Sequence, residues 1–148
     1  MLPWVIAAAT LILDQVTKLL ITRSFSPGDT IPVWPPVLYL TYVQNTGAAF
    51  GIFRGWPWMF IAIAAGIIIW IGRELLSRAP ARPAALTAAY GLVLGGAVGN
   101  LIDRVRAGYV IDFIDVRVWP VFNVADSAIT VGVTCLILFT LFADRRGA

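Results

Sequence analysis

The sequence predicts an all-α membrane protein with four transmembrane helices, a small extracytoplasmic β-sheet and an interfacial segment between the third and fourth helices. Composition is the first observation behind this prediction. Of the 148 residues, 59% are hydrophobic and only 13% are charged. The mean hydropathy of +0.85 lies far outside the range of soluble domains. The second observation is that the apolar residues form four long stretches, each supplying the roughly 17 to 25 residues that cross a hydrocarbon core.

The four stretches are nearly free of charged residues and define the predicted spans of a single domain over residues 1–148. They cover about residues 2–21, 55–72, 83–102 and 121–143. The first stretch lacks the basic beginning of a secretory signal and is followed by three more spans. We therefore expect it to stay in the protein as the first helix.

The distribution of arginine predicts the orientation in the membrane. Five arginines crowd the short segments after the second and fourth spans: Arg73, Arg78, Arg82, Arg145 and Arg146. Five others are spread over longer segments on the opposite side: Arg23, Arg54, Arg104, Arg106 and Arg117. Because densely basic short segments stay in the cytoplasm, both termini are expected to be cytoplasmic. The same scatter argues against a nucleic-acid partner, which would need a basic patch.

The segments that follow the first and third spans differ from ordinary loops. Residues 24–53 begin with turn-forming Pro, Gly and Asp and continue into "VLYLTYVQ", whose β-branched and aromatic residues are typical of a strand. We expect a small sheet there, at the outer surface of the membrane. Residues 105–120 set Asp112 and Asp115 among Val, Ile, Phe and Trp. This second segment is therefore expected to lie in the interface or to fold back onto the helices.

Small and aromatic residues mark how the spans pack. In the third span, Gly91, Gly95 and Gly99 recur every four residues. This bare stripe predicts close approach of a neighbouring helix. The tryptophans fall mostly near the predicted span ends and are interpreted as interfacial anchors: Trp4, Trp34, Trp56, Trp58, Trp70 and Trp119.

Polar side chains from three spans and one outer segment are predicted to converge on one face of the membrane. The first, third and fourth spans and the segment before the fourth contribute Asp14, Lys18, Asn100, Asp103, Arg104, Asp112, Asn123 and Asp126. The second span contributes none. Because an ionised carboxylate at mid-helix costs about 2.5 to 3.5 kcal/mol on insertion scales, such residues are candidates for function.

Structural roles are favoured for two of these charged pairs. Asp14 and Lys18 lie four residues apart and can form an ion pair within the first helix. Asp103, beside Arg104, can act as a clamp at the end of the third helix.

The remaining polar residues divide into amides and acids. The amides Asn45 and Asn123 can satisfy backbone groups where regular structure breaks. Asp112 and Asp126 are harder to explain by structure, because neither has a basic residue at helical spacing within its own segment.

The inventory of side chains limits the chemistry of such a site. The chain has no histidine, which excludes Ser-His and Cys-His nucleophiles and leaves no imidazole for a catalytic zinc site. A Ser-Lys pair would have to use Lys18, which Asp14 explains better. Two carboxylates in a low-dielectric setting can share one proton, so that one activates water while the other polarises a carbonyl.

Five sequence blocks, in order, resemble those of the bacterial lipoprotein signal peptidase (signal peptidase II) family. They are "DQVTK" at 14–18, "NTGAAFGIF" at 45–53, "GGAVGNLIDR" at 95–104, "GYVIDFID" at 108–115 and "FNVADSAITVG" at 122–132. The resemblance extends over nearly the whole chain. It implies an intramembrane aspartyl peptidase that needs no metal or organic cofactor.

The resemblance also assigns roles to individual residues. By position in the blocks, the catalytic pair would be Asp112 and Asp126, and Asp103 is the main rival to Asp112. The residues implied to line, brace or support the site are Asn45, Gly47, Asn100, Arg104, Asn123, Asp14, Lys18 and Asp103.

The implied substrate is a prolipoprotein whose cysteine carries diacylglycerol, cut on the amino side of that cysteine. The implied enzyme is a monomer in the bacterial cytoplasmic (inner) membrane, in contact with membrane lipid, with its active site towards the outer face. Cyclic peptides are the implied inhibitors. A substrate held by an apolar signal helix and a lipid would keep its scissile bond at the bilayer surface, at the depth of the polar cluster.

Two other classes of function are compatible with intramembrane acids. A small proton or ion carrier needs polar groups at several depths, often near the midplane, and the inner halves of the first, third and fourth helices have almost none. A lipid-binding subunit of a membrane assembly would tolerate a one-sided polar cluster. Release of a signal peptide from lipidated prolipoprotein separates the peptidase from both.

Overall fold

The computed structural model describes residues 1–47, 56–77 and 83–143, which form four long helices and one three-stranded sheet. The helices are α1 Leu2–Ser24, α2 Pro57–Leu76, α3 Ala84–Ala107 and α4 Val124–Ala143. The strands are β1 Thr30–Trp34, β2 Leu38–Asn45 and β3 Val110–Asp115. All four helices are long and apolar enough to cross a membrane. The predicted fold class is confirmed.

Helix α3 packs against each of the other three helices. Its glycine stripe allows close approach of a neighbouring helix, as predicted, and that helix is α1: a Cβ on Gly95 would stand 2.5 Å from the carbonyl oxygen of Ala7. The neighbouring Gly96 faces α4, where a Cβ would stand 2.6 Å from the carbonyl oxygen of Ala125. Because no side chain fits at these distances, the glycines allow both helices to lie directly against α3.

The outer surfaces of the helices are apolar. Many large hydrophobic side chains are about half exposed or more, among them Ile12, Leu20, Ile63, Val131 and Leu141. A soluble domain would bury such side chains, whereas a bilayer solvates them. Helix α2 packs on α3 through Ile71, which is fully buried, and through an edge-to-face contact between Trp70 and Tyr90 with ring centroids 6.1 Å apart.

The sheet joins two segments that are far apart in sequence. Its order is β1-β2-β3, and both pairs are antiparallel. The segment between α3 and α4, expected either in the interface or folded back, supplies β3 and so folds back onto the helices. Ile21 of α1 packs with Tyr42 and Phe113 of the sheet in one buried cluster. The sheet therefore lies at the end of the bundle where α1 and α3 finish, called here the sheet end.

The link from β3 to α4 is short and closely bonded. The carbonyl oxygen of Phe122 accepts hydrogen bonds from the backbone N–H groups of Phe113, at 3.0 Å, and Ile114, at 2.7 Å. Arg117 lies in the turn between Ile114 and Phe122 and has a left-handed backbone conformation, with φ of 64°. The start of α4 is thereby brought beside the middle of β3.

Candidate active site

The first turn of α4 is closed by a reciprocal pair of hydrogen bonds. The side-chain oxygen of Asn123 accepts from the backbone N–H of Asp126 at 2.8 Å, and the Asp126 carboxylate accepts from the backbone N–H of Asn123 at 3.3 Å. This is a capping box in which Asp takes the place usually held by Glu. One carboxylate oxygen of Asp126 is therefore held by a backbone N–H group at the start of α4.

A carboxylate from α1 also caps α4. Asp14 accepts a hydrogen bond from the backbone N–H of Ala125 at 2.9 Å and is fully buried. Gly99 of α3 makes room for it, because a Cβ at that position would stand 2.5 Å from Oδ2 of Asp14. Asp14 thus joins α1, in its half nearer the sheet end, to the first turn of α4.

Lys18 is the centre of the buried polar network at the sheet end. It is 2% exposed, and its Nζ lies 2.8 Å from Asp14 Oδ2 and 2.7 Å from Asp103 Oδ2. A third bond of 2.9 Å goes to the side-chain oxygen of Asn100. An ammonium group has three donors, and all three are used here, as a buried cation requires.

The expected ion pair of Asp14 with Lys18 is present. The expected clamp of Asp103 with Arg104 is wrong, because the carboxylate of Asp103 binds Lys18 and the amide of Gln15, the latter at 3.1 Å. Consecutive helical residues point about 100° apart. Asp103 therefore faces α1, whereas Arg104 points in a different direction, towards a cavity that Asp103 does not line.

Asn100 links Lys18 to Asp126 by hydrogen bonds. Its side-chain oxygen accepts from Lys18 and, at 3.2 Å, from the side-chain amide of Asn123. With its oxygen committed to two donors, the NH₂ group of Asn100 points to Asp126 and donates to Oδ1 at 2.7 Å. The network fixes the orientation of this amide.

Asp112 is held by two amides in the same manner. Its Oδ1 accepts from the side chain of Asn123 at 2.7 Å and its Oδ2 from Asn45 at 2.8 Å. Asn45 is oriented in turn by the backbone N–H of Gly47, which donates to its oxygen at 3.0 Å. Burial and, to a smaller extent, the nearby negative charge of Asp126 together raise the pKa of Asp112 to about 7, against the lowering effect of both amide hydrogen bonds.

A cavity of about 320 Å³ lies in front of the two acids. Within the described ranges, the carboxylates that line it are Asp112 and Asp126, and the cation is Arg104. Asn45 and Gly47 contribute to the same wall. Asp103, the rival to Asp112, stands behind the network beside Lys18 and does not line the cavity.

Three aromatic residues of the cavity had no predicted part in the site. Phe60 of α2 lines the wall, and the guanidinium carbon of Arg104 lies 4.9 Å from the centre of its ring. Trp119 and Phe122 form another wall. Nothing in the sequence pattern distinguishes Phe60, and Trp119 was interpreted only as an interfacial anchor.

All ten residues proposed from the sequence lie in this network or along the cavity. Five line the cavity: Asp112, Asp126, Asn45, Gly47 and Arg104. Five lie in the network behind it: Asn100, Asn123, Asp14, Lys18 and Asp103. The network holds the acids in place, and the cavity lies directly in front of them.

Comparison with known proteins gives the family. The profile described as signal peptidase (SPase) II matches residues 6–142. The lipoprotein signal peptidase of Halothermothrix orenii is 43% identical over 145 residues, covering 97% of this chain and 98% of the relative. That of Brevibacillus brevis is 47% identical over 145 residues, covering 97% and 96%.

Two solved structures, each described as a bacterial membrane enzyme, have the same fold. One has a TM-score of 0.92 at 36% identity and covers 99% of this chain and 91% of its own. The other has a TM-score of 0.84 at 38% identity and covers 94% and 92%. These matches confirm the family indicated by the five sequence blocks. The chain therefore belongs to the signal peptidase II family and is a multi-pass membrane peptidase.

Proposed function

We propose that this chain is an endopeptidase that removes the signal peptide from diacylglyceryl-modified prolipoproteins, cutting on the amino side of the lipidated cysteine. One observation carries the proposal. Two carboxylates from different elements, Asp112 of β3 and Asp126 of α4, line the same cavity and are each held by side-chain amides. The names of the relatives, lipoprotein signal peptidases, supply the substrate class.

The proposed reaction uses the two acids as a pair that shares one proton. Asp126 is ionised and takes a proton from water, whose oxygen attacks the scissile carbonyl carbon. Asp112 is protonated and donates a hydrogen bond to the carbonyl oxygen. The tetrahedral intermediate then collapses as the proton taken by Asp126 passes to the leaving amine.

The surroundings of each acid support this division of roles. Asp126 lies in the first turn of α4, where the helix dipole favours a negative charge. Asp112 has a pKa raised to about 7 by burial, which favours its neutral form. Arg104 lines the same cavity and would stabilise negative charge on the carbonyl oxygen in the intermediate.

The position of the cavity at the sheet end fits a substrate that stays in the membrane. We propose that the sheet end faces outward and that both termini are cytoplasmic, as the arginine distribution indicates. A lipid and a signal helix would then hold the scissile bond beside the acids, which makes the attack effectively intramolecular. We expect the monomer to be active and cyclic peptides that occupy the cavity to inhibit it.

The arrangement of polar groups favours the peptidase over an ion carrier. Among the described residues of the helices, the buried polar side chains other than Thr10 gather towards the sheet end. A carrier requires such groups through the depth of the bundle. No observation specifically favours a lipid-binding subunit.

Cleavage by the purified protein tests the proposal. The protein in detergent is given a lipidated prolipoprotein, and mass spectrometry follows the released signal peptide and the new amino terminus at the lipidated cysteine. The same precursor without lipid serves as the control substrate. Lack of cleavage by folded protein would contradict the proposal, and proton leak from liposomes without cleavage would support the carrier instead.

A further inference from the structure

A second cavity extends from the active-site cavity along α4. It measures about 380 Å³ and is largely apolar. Its wall is formed by Trp119, Phe122, Asp126, Ser127, Thr130 and Val131. Four of these residues also line the active-site cavity: Trp119, Phe122, Asp126 and Thr130. The two cavities therefore meet at Asp126, and the second is called here the α4 branch.

The α4 branch follows one face of the helix away from the sheet end. Asp126 and Thr130 are four residues apart, as are Ser127 and Val131, so each pair is stacked along the helix. Val131 is 53% exposed on the surface that a bilayer would solvate. The branch thus connects the candidate acids with the lipid.

The lining of the α4 branch is suited to a hydrocarbon chain. Apart from Asp126 at its mouth, none of its described lining residues is charged. The hydroxyl of Ser127 donates to the backbone carbonyl of Asn123 at 3.0 Å, so its donor is already used inside the helix. The active-site cavity, by contrast, is lined by Asn45, Arg104 and Asp112, which an acyl chain would desolvate at a cost.

We propose that the α4 branch, which Trp119 and Phe122 line, holds the first part of an acyl chain of the substrate. This inference rests on the proposed function. In such a substrate the lipid is attached to the residue directly after the scissile bond. When that bond lies at the two acids, the beginning of the acyl chain must lie within one side chain's reach of Asp126, which is where the branch opens.

The α4 branch is expected to position the scissile bond rather than to strengthen substrate binding. An acyl chain in the bilayer is already in apolar surroundings, so moving it into the branch gains little hydrophobic free energy. Holding the chain in one place, however, aligns the adjacent peptide bond with the acids. Blocking the branch is therefore expected to lower kcat more than it raises KM.

Replacement of Val131 by Trp tests the assignment, because Val131 lines the α4 branch but not the active-site cavity. Two precursors that differ only in acyl length, one with long chains and one with very short chains, are compared. Val131→Trp is expected to lower the ratio of kcat for the long-chain precursor to that for the short-chain precursor by about tenfold. Val133→Trp, the same exchange at an α4 residue outside both cavities, is expected to leave the ratio unchanged.

An unchanged ratio in Val131→Trp that still cleaves the precursor would overturn the acyl assignment and leave the proposed function standing. Failure of the unmodified chain to cleave either precursor would overturn the proposed function itself. A photoreactive group near the glycerol end of the acyl chain, bound to the Asp112→Asn variant, gives a test without a blocked branch. Labelling of Ser127 or Val131, which line only the α4 branch, is expected, and labelling of Phe60 on α2 instead would overturn the assignment.

Discussion

At the level of single residues, the site depends on amide groups that each have a fixed orientation. The NH₂ groups of Asn45 and Asn123 face Asp112, and that of Asn100 faces Asp126. Free amides can flip, but here the oxygens are occupied by other donors, of which Lys18 is one. The buried ion pairs behind the cavity are therefore joined to Asp126 by hydrogen bonds through the amide of Asn100.

Replacing either acid by its amide is expected to remove cleavage. Asp112→Asn and Asp126→Asn keep the size of each side chain, but an amide neither accepts a proton from water nor donates one as an acid does, so kcat should fall by about 10³-fold or more. Release of the signal peptide is the measurement, with thermal unfolding in detergent as the check on folding. Asp29→Asn, at an exposed carboxylate outside the cavity, should cleave normally. Full activity in a folded Asp112→Asn variant would contradict the proposed pair.

The raised pKa of Asp112 predicts the pH dependence. If Asp112 must be protonated in the free enzyme, kcat/KM should fall as the pH rises through about 7, where this acid loses its proton. A profile of kcat/KM from about pH 5 to about pH 9 measures this. Because the hydrogen bond from Asn45 lowers the pKa of Asp112, the variant Asn45→Ala should shift the descending limb to higher pH. A limb that does not move in this variant would argue that another group sets it.

At the level of elements, α2 takes part in the site through one aromatic ring. Phe60 lies under the guanidinium of Arg104, the cation of the described cavity wall. We expect Phe60→Leu to lower kcat/KM by about two- to fivefold, since a cation–π contact of about 0.5 to 1 kcal/mol is lost. Phe60→Tyr keeps the ring and should retain most of the activity. Equal losses in both variants would mean that the ring does not position Arg104.

The glycines of α3 determine how closely the helices pack. In Gly95→Ala the new methyl group would stand 2.5 Å from the carbonyl oxygen of Ala7, so α1 must move away. The unfolding free energy is expected to fall by about 1 to 3 kcal/mol. Gly66 of α2 has nothing within 4 Å of a Cβ, so Gly66→Ala should be neutral or slightly stabilising. Unfolding of the two variants in the same detergent compares them, and equal stability would contradict the close packing of α1 on α3.

Elements and pairings differ in how far the sequence predicts them. Local composition predicted the four spans and a strand in the segment after α1, because apolar length and β-branched content are properties of a few adjacent residues. It did not predict that β3 pairs with β2, since such a pairing depends on where two distant segments meet in space. It also paired Asp103 with its neighbour Arg104. The true partner, Lys18, could not be predicted, because packing of α3 on α1 decides which way Asp103 faces.

The acids of the site illustrate the same difference. Asp112 and Asp126 could be proposed from their apolar settings and from the five sequence blocks. Their hydrogen-bond partners could not, because each carboxylate is bonded by residues from elements that meet only in the folded chain. Phe60 was missed for a related reason: an aromatic residue in an apolar span gives no local signal of a role beside a cation.

For the whole molecule, the unequal distribution of polarity along the bundle predicts a single orientation. The buried ion pairs, the cavity and the sheet all lie at one end. Helix α3 begins at the other end, and the sequence just before it carries a dense group of arginines. Because basic segments are retained in the cytoplasm, the sheet end should face outward, where water can enter the cavity without crossing the bilayer.

Labelling of single cysteines from outside the cell tests this orientation. Cys135 is exposed on α4 and is first replaced by Ser. Ser26→Cys, at the sheet end, should react with a membrane-impermeant maleimide in intact spheroplasts, because that end is expected to face outward. Ser77→Cys, directly after α2, should react only after the cells are lysed. The reverse pattern would put the acids on the cytoplasmic side, where a precursor that has already been exported and lipidated could not reach them, and the proposed substrate would then be wrong as well.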